Sequence, residues 1–236
     1  MKFLLQTWGL LLLSIILWPL QVLYSIVVPV VYAVKLRRPR VLSIIPYDLA
    51  NAVVGLAGCF LLPVVLRFVP SSAEHLPRWC WPWDNAWDTI NGDPYNWKKL
   101  TQAAGVDQRS YIARLNWLCV RNGTANFSRY TLGLQITPMT TYTHAGDWID
   151  NGTGDYSGWL YIVATHPDGT KRFCYAALTQ WGSSRRCIRT YLGWKMMGST
   201  DGKTYTPPPP GNWCQEDVYW NPYFGFNPPN TTAAGN

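Results

Sequence analysis

The first charged residue after Lys2 is Lys35, and the run between them, Phe3 to Val34, is dominated by Leu, Ile and Val. A helix needs about 20 such residues to cross the hydrocarbon core of a bilayer. The pattern therefore predicts a membrane helix over about 3–34. A cleaved signal peptide has an apolar core of roughly 7–15 residues and a small-residue cleavage site. This run is far longer, and Val31-Tyr32-Ala33 leads straight into basic residues, so cleavage is not expected.

A second apolar segment, about 50–66, lies between Asp48 and Arg67. Its length is at the short end of the spanning range of about 17–25 residues, which leaves a full crossing or a re-entrant helix open. Pro19, Pro29 and Pro63 each remove a helix hydrogen bond, which membrane helices tolerate when neighbours satisfy the freed carbonyl. Between the segments, Lys35-Leu36-Arg37-Arg38-Pro39-Arg40 carries four cations. Short loops rich in Lys and Arg stay on the cytoplasmic side. The expected topology is a hairpin with that loop inside, and with the N-terminus and everything from Ser71 onward outside.

Past residue 70 the periodicity changes. Residues 71–97 form a Trp-rich linker, where Trp79, Trp81 and Trp83 suit a membrane-interface belt because an indole ring favours the headgroup level. Lys98 to Arg121 permits one helix or, given Gly105, two short ones. Tyr130–Thr137, Gly158–Thr165, Arg172–Leu178 and Cys187–Met196 are rich in β-branched and aromatic residues and read as strands. His166-Pro167-Asp168-Gly169-Thr170 predicts a hairpin turn between the second and third, and Ser199 to Lys203 a further turn. Pro207 to Pro210 favours an extended spacer, and residues 228–236 a frayed tail. The fold class is thus membrane-anchored α+β: a two-helix transmembrane hairpin (1–70), the linker (71–97), and a small, mostly antiparallel β domain with one or two helices (98–227).

The formal charge of +7 raises the question of a nucleic-acid partner. Beyond the loop the cations are scattered and no basic helix or RNA-binding signature appears, so membrane lipid and a protein or envelope partner are expected instead. Of the six cysteines, Cys59 lies in the second apolar segment, leaving an odd five in the domain, and none forms a C-x-x-C pair. Two disulfides with one free thiol, or five buried thiols, both fit.

The densest chemistry lies between Trp83 and Asp93. Asp84, Asn85, Asp88 and Asp93 put oxygen ligands at close spacing near a glycine, as a Ca²⁺ loop does, but the spacing lacks the EF-hand glycine and closing Glu. A hydrogen-bonded turn is the default reading, and no other cofactor is indicated. The histidines, His75, His144 and His166, lie in no catalytic motif, and no nucleophile, base and orienting group are recognisable together. Aromatic residues, with fourteen Trp and fourteen Tyr, suit core packing before a sugar platform. Sequons at Asn122, Asn126, Asn151 and Asn230 matter only in a eukaryotic secretory pathway.

His75-Leu76-Pro77-Arg78-Trp79, followed by Trp83-Asp84-Asn85, Asp88 and Gly92-Asp93, resembles an uncharacterised family of tailed-bacteriophage proteins with an apolar N-terminus and a Leu-Pro-Arg-Trp stretch running into an Asp-Asn…Asp-Gly-Asp motif. Leu115 to Asn122 is similar to its next block, and Tyr191 to Lys195 with Asn221-Pro222 to its closing strands. Thr89-Ile90-Asn91 stands before Gly92-Asp93 where that family has a tighter Asp-Gly-Asp. The resemblance implies a phage origin and a membrane setting, and carries no activity. The expectation is a non-enzymatic interaction module at the host inner membrane, integral, with its C-terminal domain periplasmic. A lysis or pore-forming protein and a metal-assisted envelope hydrolase are the alternatives.

Overall fold

In the computed structural model, residues 2–85, 87–146, 158–180, 187–196 and 206–223 are described. The turn expected at Ser199 to Lys203, the tail 228–236 and the sequons at Asn151 and Asn230 lie outside the described residues. The chain divides into two compact units: one takes Met1–Val31 and Ile45–Thr131, the other Tyr32–Ile44 and Leu132–Asn236.

The first apolar run forms two helices, α1 (Lys2–Ile16) and α2 (Trp18–Leu36), which meet at Leu17. Pro19 lacks the N–H that would bond the carbonyl one turn earlier, which marks the break. The second apolar helix, α3 (Ile45–Val65), begins five residues before the expected 50 and takes Asp48 into its first turn. There a carboxylate faces the positive end of the helix dipole. At 1.5 Å per residue, α2 and α3 are ~28 and ~31 Å long, close to the ~30 Å hydrocarbon core. Both are long and apolar enough to cross a membrane.

In the first unit α3 is clasped by the chain that follows it. α4 (Asn96–Ala103) and α5 (Tyr111–Asn116) are the two short helices allowed on either side of Gly105, which takes a positive φ of 64°. From α5 the chain winds back along α3 in two π-helical turns, Trp117–Arg121 and Phe127–Leu132. The contacts run antiparallel: Tyr111 Oη donates to Pro63 O at 2.9 Å, Cys119 Sγ to Gly58 O at 3.9 Å, and Thr124 Oγ1 to Asn51 Oδ1 at 2.6 Å. Ser128 Oγ joins the same Asn51 oxygen at 3.3 Å. The chain therefore leaves this unit, at Thr131, beside the end of α3 at which it entered. Tyr130–Thr137, expected as a strand, pairs as one only at β1 (Leu134–Gln135) and begins in the second π-helical turn, through Leu132. Its partners lie more than seventy residues upstream, so local β propensity yields to tertiary contact.

Two indoles fix the same helix from other directions. Trp18 Nε1 donates to Ala52 O at 3.0 Å and Trp83 Nε1 to Val54 O at 2.8 Å. The Trp83 ring lies so close to α3 that a Cβ at Gly58 would stand 2.6 Å from it. α1 packs on α5 through a buried pair, Asn116 Nδ2 donating to Thr7 Oγ1 at 3.0 Å, while Thr7 Oγ1 donates back to Phe3 O. Trp97, fully buried, stacks between Phe3 and Trp117. The outward faces stay apolar and exposed: Leu5, Leu12 and Ile16 on α1, Leu20, Leu23 and Val27 on α2, Val53, Phe60 and Val64 on α3.

In the second unit β2 (Thr141–Ala145), β3 (Gly158–Thr165), β4 (Lys171–Gln180), β5 (Cys187–Trp194) and β7 (Glu216–Tyr223) form one antiparallel sheet in the order 2-3-4-5-7. β6 (Trp213–Cys214) pairs separately with β1. The β3–β4 hairpin matches the expected one, with Thr165 opposite Lys171 and Gly169 at φ 85° in the turn. Phe173, fully buried, stacks on Tyr161 and meets the edge of Trp194, whose Nε1 donates to Leu132 O at 2.9 Å. The basic segment Tyr32–Ile44 belongs to this unit: the Arg38 guanidinium lies 5.4 Å above the Tyr161 ring and Tyr32 packs on Tyr175 at 5.5 Å.

Replacing Gly58 by Ala is expected to cost about 1–3 kcal/mol by overpacking against Trp83. Thermal melts of the detergent-solubilised protein followed by circular dichroism measure it. The penalty should shrink when Trp83 is also replaced by Ala, whereas equal penalties in both backgrounds would show that the ring is not what crowds Gly58.

Candidate functional site

The acidic segment is held by its own side chains. Asp84 Oδ1 accepts from the Asn85 N–H at 2.9 Å, and Asn85 Oδ1 accepts from the N–H groups of Trp87 and Asp88 at 2.9 and 3.1 Å. Asp93 Oδ1 accepts from the N–H groups of Tyr95, Asn96 and Trp97 at 2.9, 2.6 and 3.2 Å, satisfying donors at the start of α4 that no intrahelical carbonyl can reach. Gly92, at φ 92°, has the Trp97 ring against its backbone where any Cβ would collide. Gln108 Nε2 ties the loop down from the far side, donating to Asn91 O and Asp93 O at 3.3 Å each.

Each of the four candidate calcium ligands is thus placed. Asp93 is engaged in capping and Asn85 in a turn, while Asp84 faces His75, whose Nδ1 stands 3.2 Å from Asp84 Oδ2. Asp88 faces an adjoining cleft. Among the described residues no group of three or more His, Cys, Asp or Glu side chains is placed to hold a metal ion. The His75–Asp84 pair joins two parts of the Leu-Pro-Arg-Trp and Asp-Asn motifs, a contact that nine residues of separation conceal in the sequence. The Asp84 carboxylate orients the His75 imidazole, and the Cys80 thiol lies close enough to Asp84 to feel its charge.

Of the three tryptophans expected at a membrane interface, Trp79 and Trp81 are exposed, and Trp81 packs at a tilt on Tyr130 at 6.0 Å. Trp83 turns inward onto α3. Beneath it Cys80 is fully buried, and burial, aided by the Asp84 charge, pushes its thiol pKa up.

The cleft holds about 650 Å³ and is lined by both signs of charge, Glu74, Asp88 and Asp107 against Lys98 and Arg109, with Trp87 at its mouth. Burial, and then the neighbouring Asp93 charge, raise the Asp88 pKa. Burial raises that of Asp84 as well, against the opposing pull of the Asn85 N–H and His75. A polar, mixed-charge cleft with one exposed indole suits a ligand rich in hydrogen-bonding groups better than an apolar one.

Residues 39–222 match the model of a family of unknown function, DUF7338. The chain belongs to that family. The matched region takes in α3, the cleft and the sheet through most of β7, and leaves α1 and α2 outside it. No curated protein and no solved structure matches the chain.

Because the native Asp84 carboxyl sits above its ordinary pKa, its protonated form favours the fold below the unfolded value of about 3.9, and that contribution fades as pH rises through the native pKa. Asp84→Asn keeps an oxygen for the Asn85 N–H without the charge. The melting temperature of the variant relative to the parent should therefore climb between pH 4 and pH 7 in a fluorescence melt series. A fall over that range would mean that His75 pairing outweighs burial.

Proposed function

We propose that this is a phage-encoded, membrane-anchored interaction module of the host inner membrane, without catalytic activity of its own, which offers the mixed-charge cleft to a protein or envelope partner. The observation that carries the anchoring is the unbroken apolar outer face of α2 and α3: Leu20, Leu23, Val27, Val53, Phe60 and Val64 are exposed on helices of bilayer length. Water would meet that surface at a cost of about 25 cal/mol per Å², whereas lipid tails meet it without one. The phage origin rests on the Leu-Pro-Arg-Trp and Asp-Asn resemblance alone. The interaction role rests on the cleft.

Sidedness follows the basic loop in this reading. The sequence alone favours the loop inside and the C-terminal domain in the periplasm. One observation favours one side for both: Arg38 of the loop packs over Tyr161 of the sheet. With Lys and Arg held to the cytoplasmic face, the sheet belongs there too in this reading.

The full-length chain should stay in the pellet when membranes are washed with alkaline carbonate, and release into the supernatant would end the anchoring reading. For sidedness, Ser43→Cys and Asp168→Cys place single thiols on the loop and on the hairpin turn, with the unaltered chain giving the background from native cysteines. In intact spheroplasts a membrane-impermeant maleimide should treat the two alike, leaving both unlabelled until lysis. Labelling of Asp168→Cys alone would restore the periplasmic placement.

A further inference from the structure

The basic loop and the sheet bound a half-open cavity of about 320 Å³, lined by Lys35, Leu36, Arg38, Trp159, Tyr161 and Tyr175. Among the described residues no carboxylate stands within salt-bridge distance of its cations, Lys35 and Arg38, or of Arg40. Instead Lys35 Nζ lies 5.4 Å over the Tyr32 ring and the Arg38 guanidinium 5.4 Å over Tyr161, contacts that aim charge without neutralising it. The Tyr161 and Tyr175 rings are buried and Trp159 is exposed at the rim. Lys35 and Leu36 are the last residues of α2, so the cavity opens where a bilayer crossed by that helix gives way to water.

We infer that this cavity is a headgroup site for an anionic phospholipid, with Lys35 and Arg38 holding the phosphate and Trp159 lying at the acyl boundary. The inference rests on the membrane reading above. Two cations without a carboxylate partner among the described residues line one half-open pocket, which complements a phosphate diester; the guanidinium supplies paired N–H donors and the ammonium a point charge. An indole with one wet edge suits the headgroup level. Burial and the neighbouring Tyr32 push the Tyr175 hydroxyl up to about 12, so it keeps its proton and can donate. Free phosphate shares the anionic chemistry but has no use for Trp159 or for a position at the end of an apolar helix.

The test uses the full chain, reconstituted in vesicles of equimolar phosphatidylglycerol and phosphatidylcholine, re-extracted in mild detergent and analysed by native mass spectrometry for retained lipid. Phosphatidylglycerol should be retained in preference. Lys35→Gln with Arg38→Gln should lower that preference roughly fivefold per charge removed. Lys99→Gln with Lys171→Gln, which removes the same charge at exposed positions elsewhere, should leave it unchanged, and Arg38→Lys should keep most of it. If the double variant fails to fold by circular dichroism, single Arg38→Gln carries the comparison. No preference in the unaltered protein, an equal loss in the control pair, or displacement of the lipid by excess inorganic phosphate would each overturn the site. A chain that carbonate strips from membranes fails at the anchoring step instead, so the two failures are distinguishable.

Discussion

The first unit depends on α3 serving, through three backbone carbonyls and the Asn51 side chain, as acceptor for side chains from four other segments. Trp18, Trp83 and Tyr111 donate to its carbonyls, and Thr124 and Ser128 close on Asn51. A mid-helix carbonyl has a second lone pair after its intrahelical bond, so each ring N–H or hydroxyl is satisfied without breaking the helix. Each such bond contributes about 0.5–1.5 kcal/mol net, but an indole buried without one would cost more. Geometry follows from this: Gly58 has to be small because Trp83 reaches past it to Val54. The same clasp leaves one side of α3, with Val53, Phe60 and Val64, as its only outward face.

That arrangement orders the rest. With one face of α3 covered by protein, the segment from Arg78 to Asp93 is tied to the helix, and its carboxylates part: Asp84 meets His75, Asp88 lines the cleft and Asp93 caps α4. The cleft forms between this stiffened loop and the stretch around Asp107 to Arg109, held by Gln108. Its walls are therefore fixed by backbone hydrogen bonds and not by exposed side chains alone.

Much of the fold was legible. Apolar runs marked the helices, Pro-Asp-Gly marked the β3–β4 hairpin, and β-branched runs marked β3, β4 and β5, because each signal is local. What the sequence hid is long-range. The helical return from Tyr111 to Leu132 carries Tyr130 and Thr131, which favour strands, and only Asn51 on a distant helix explains the π-helical turn. β2 and β7 gave little signal. At the candidate site the turn-forming role of Asn85 and Asp93 was readable from residue type, while the approach of His75 to Asp84 and the descent of Trp83 onto α3 were not. The four cations between Lys35 and Arg40 read only as a topology signal, since nothing near them announces Tyr161.

The second unit is discontinuous: its Tyr32–Ile44 segment is separated from the sheet by the whole of Ile45–Thr131. Chains are made and begin to fold from the N-terminus. The loop therefore leaves the ribosome with its arginines bare, and the ring that Arg38 will cover is synthesised more than a hundred residues later. In the membrane reading proposed above, the insertion machinery would meet those charges unmasked, and orientation would be decided before the surface that finally covers Arg38 exists.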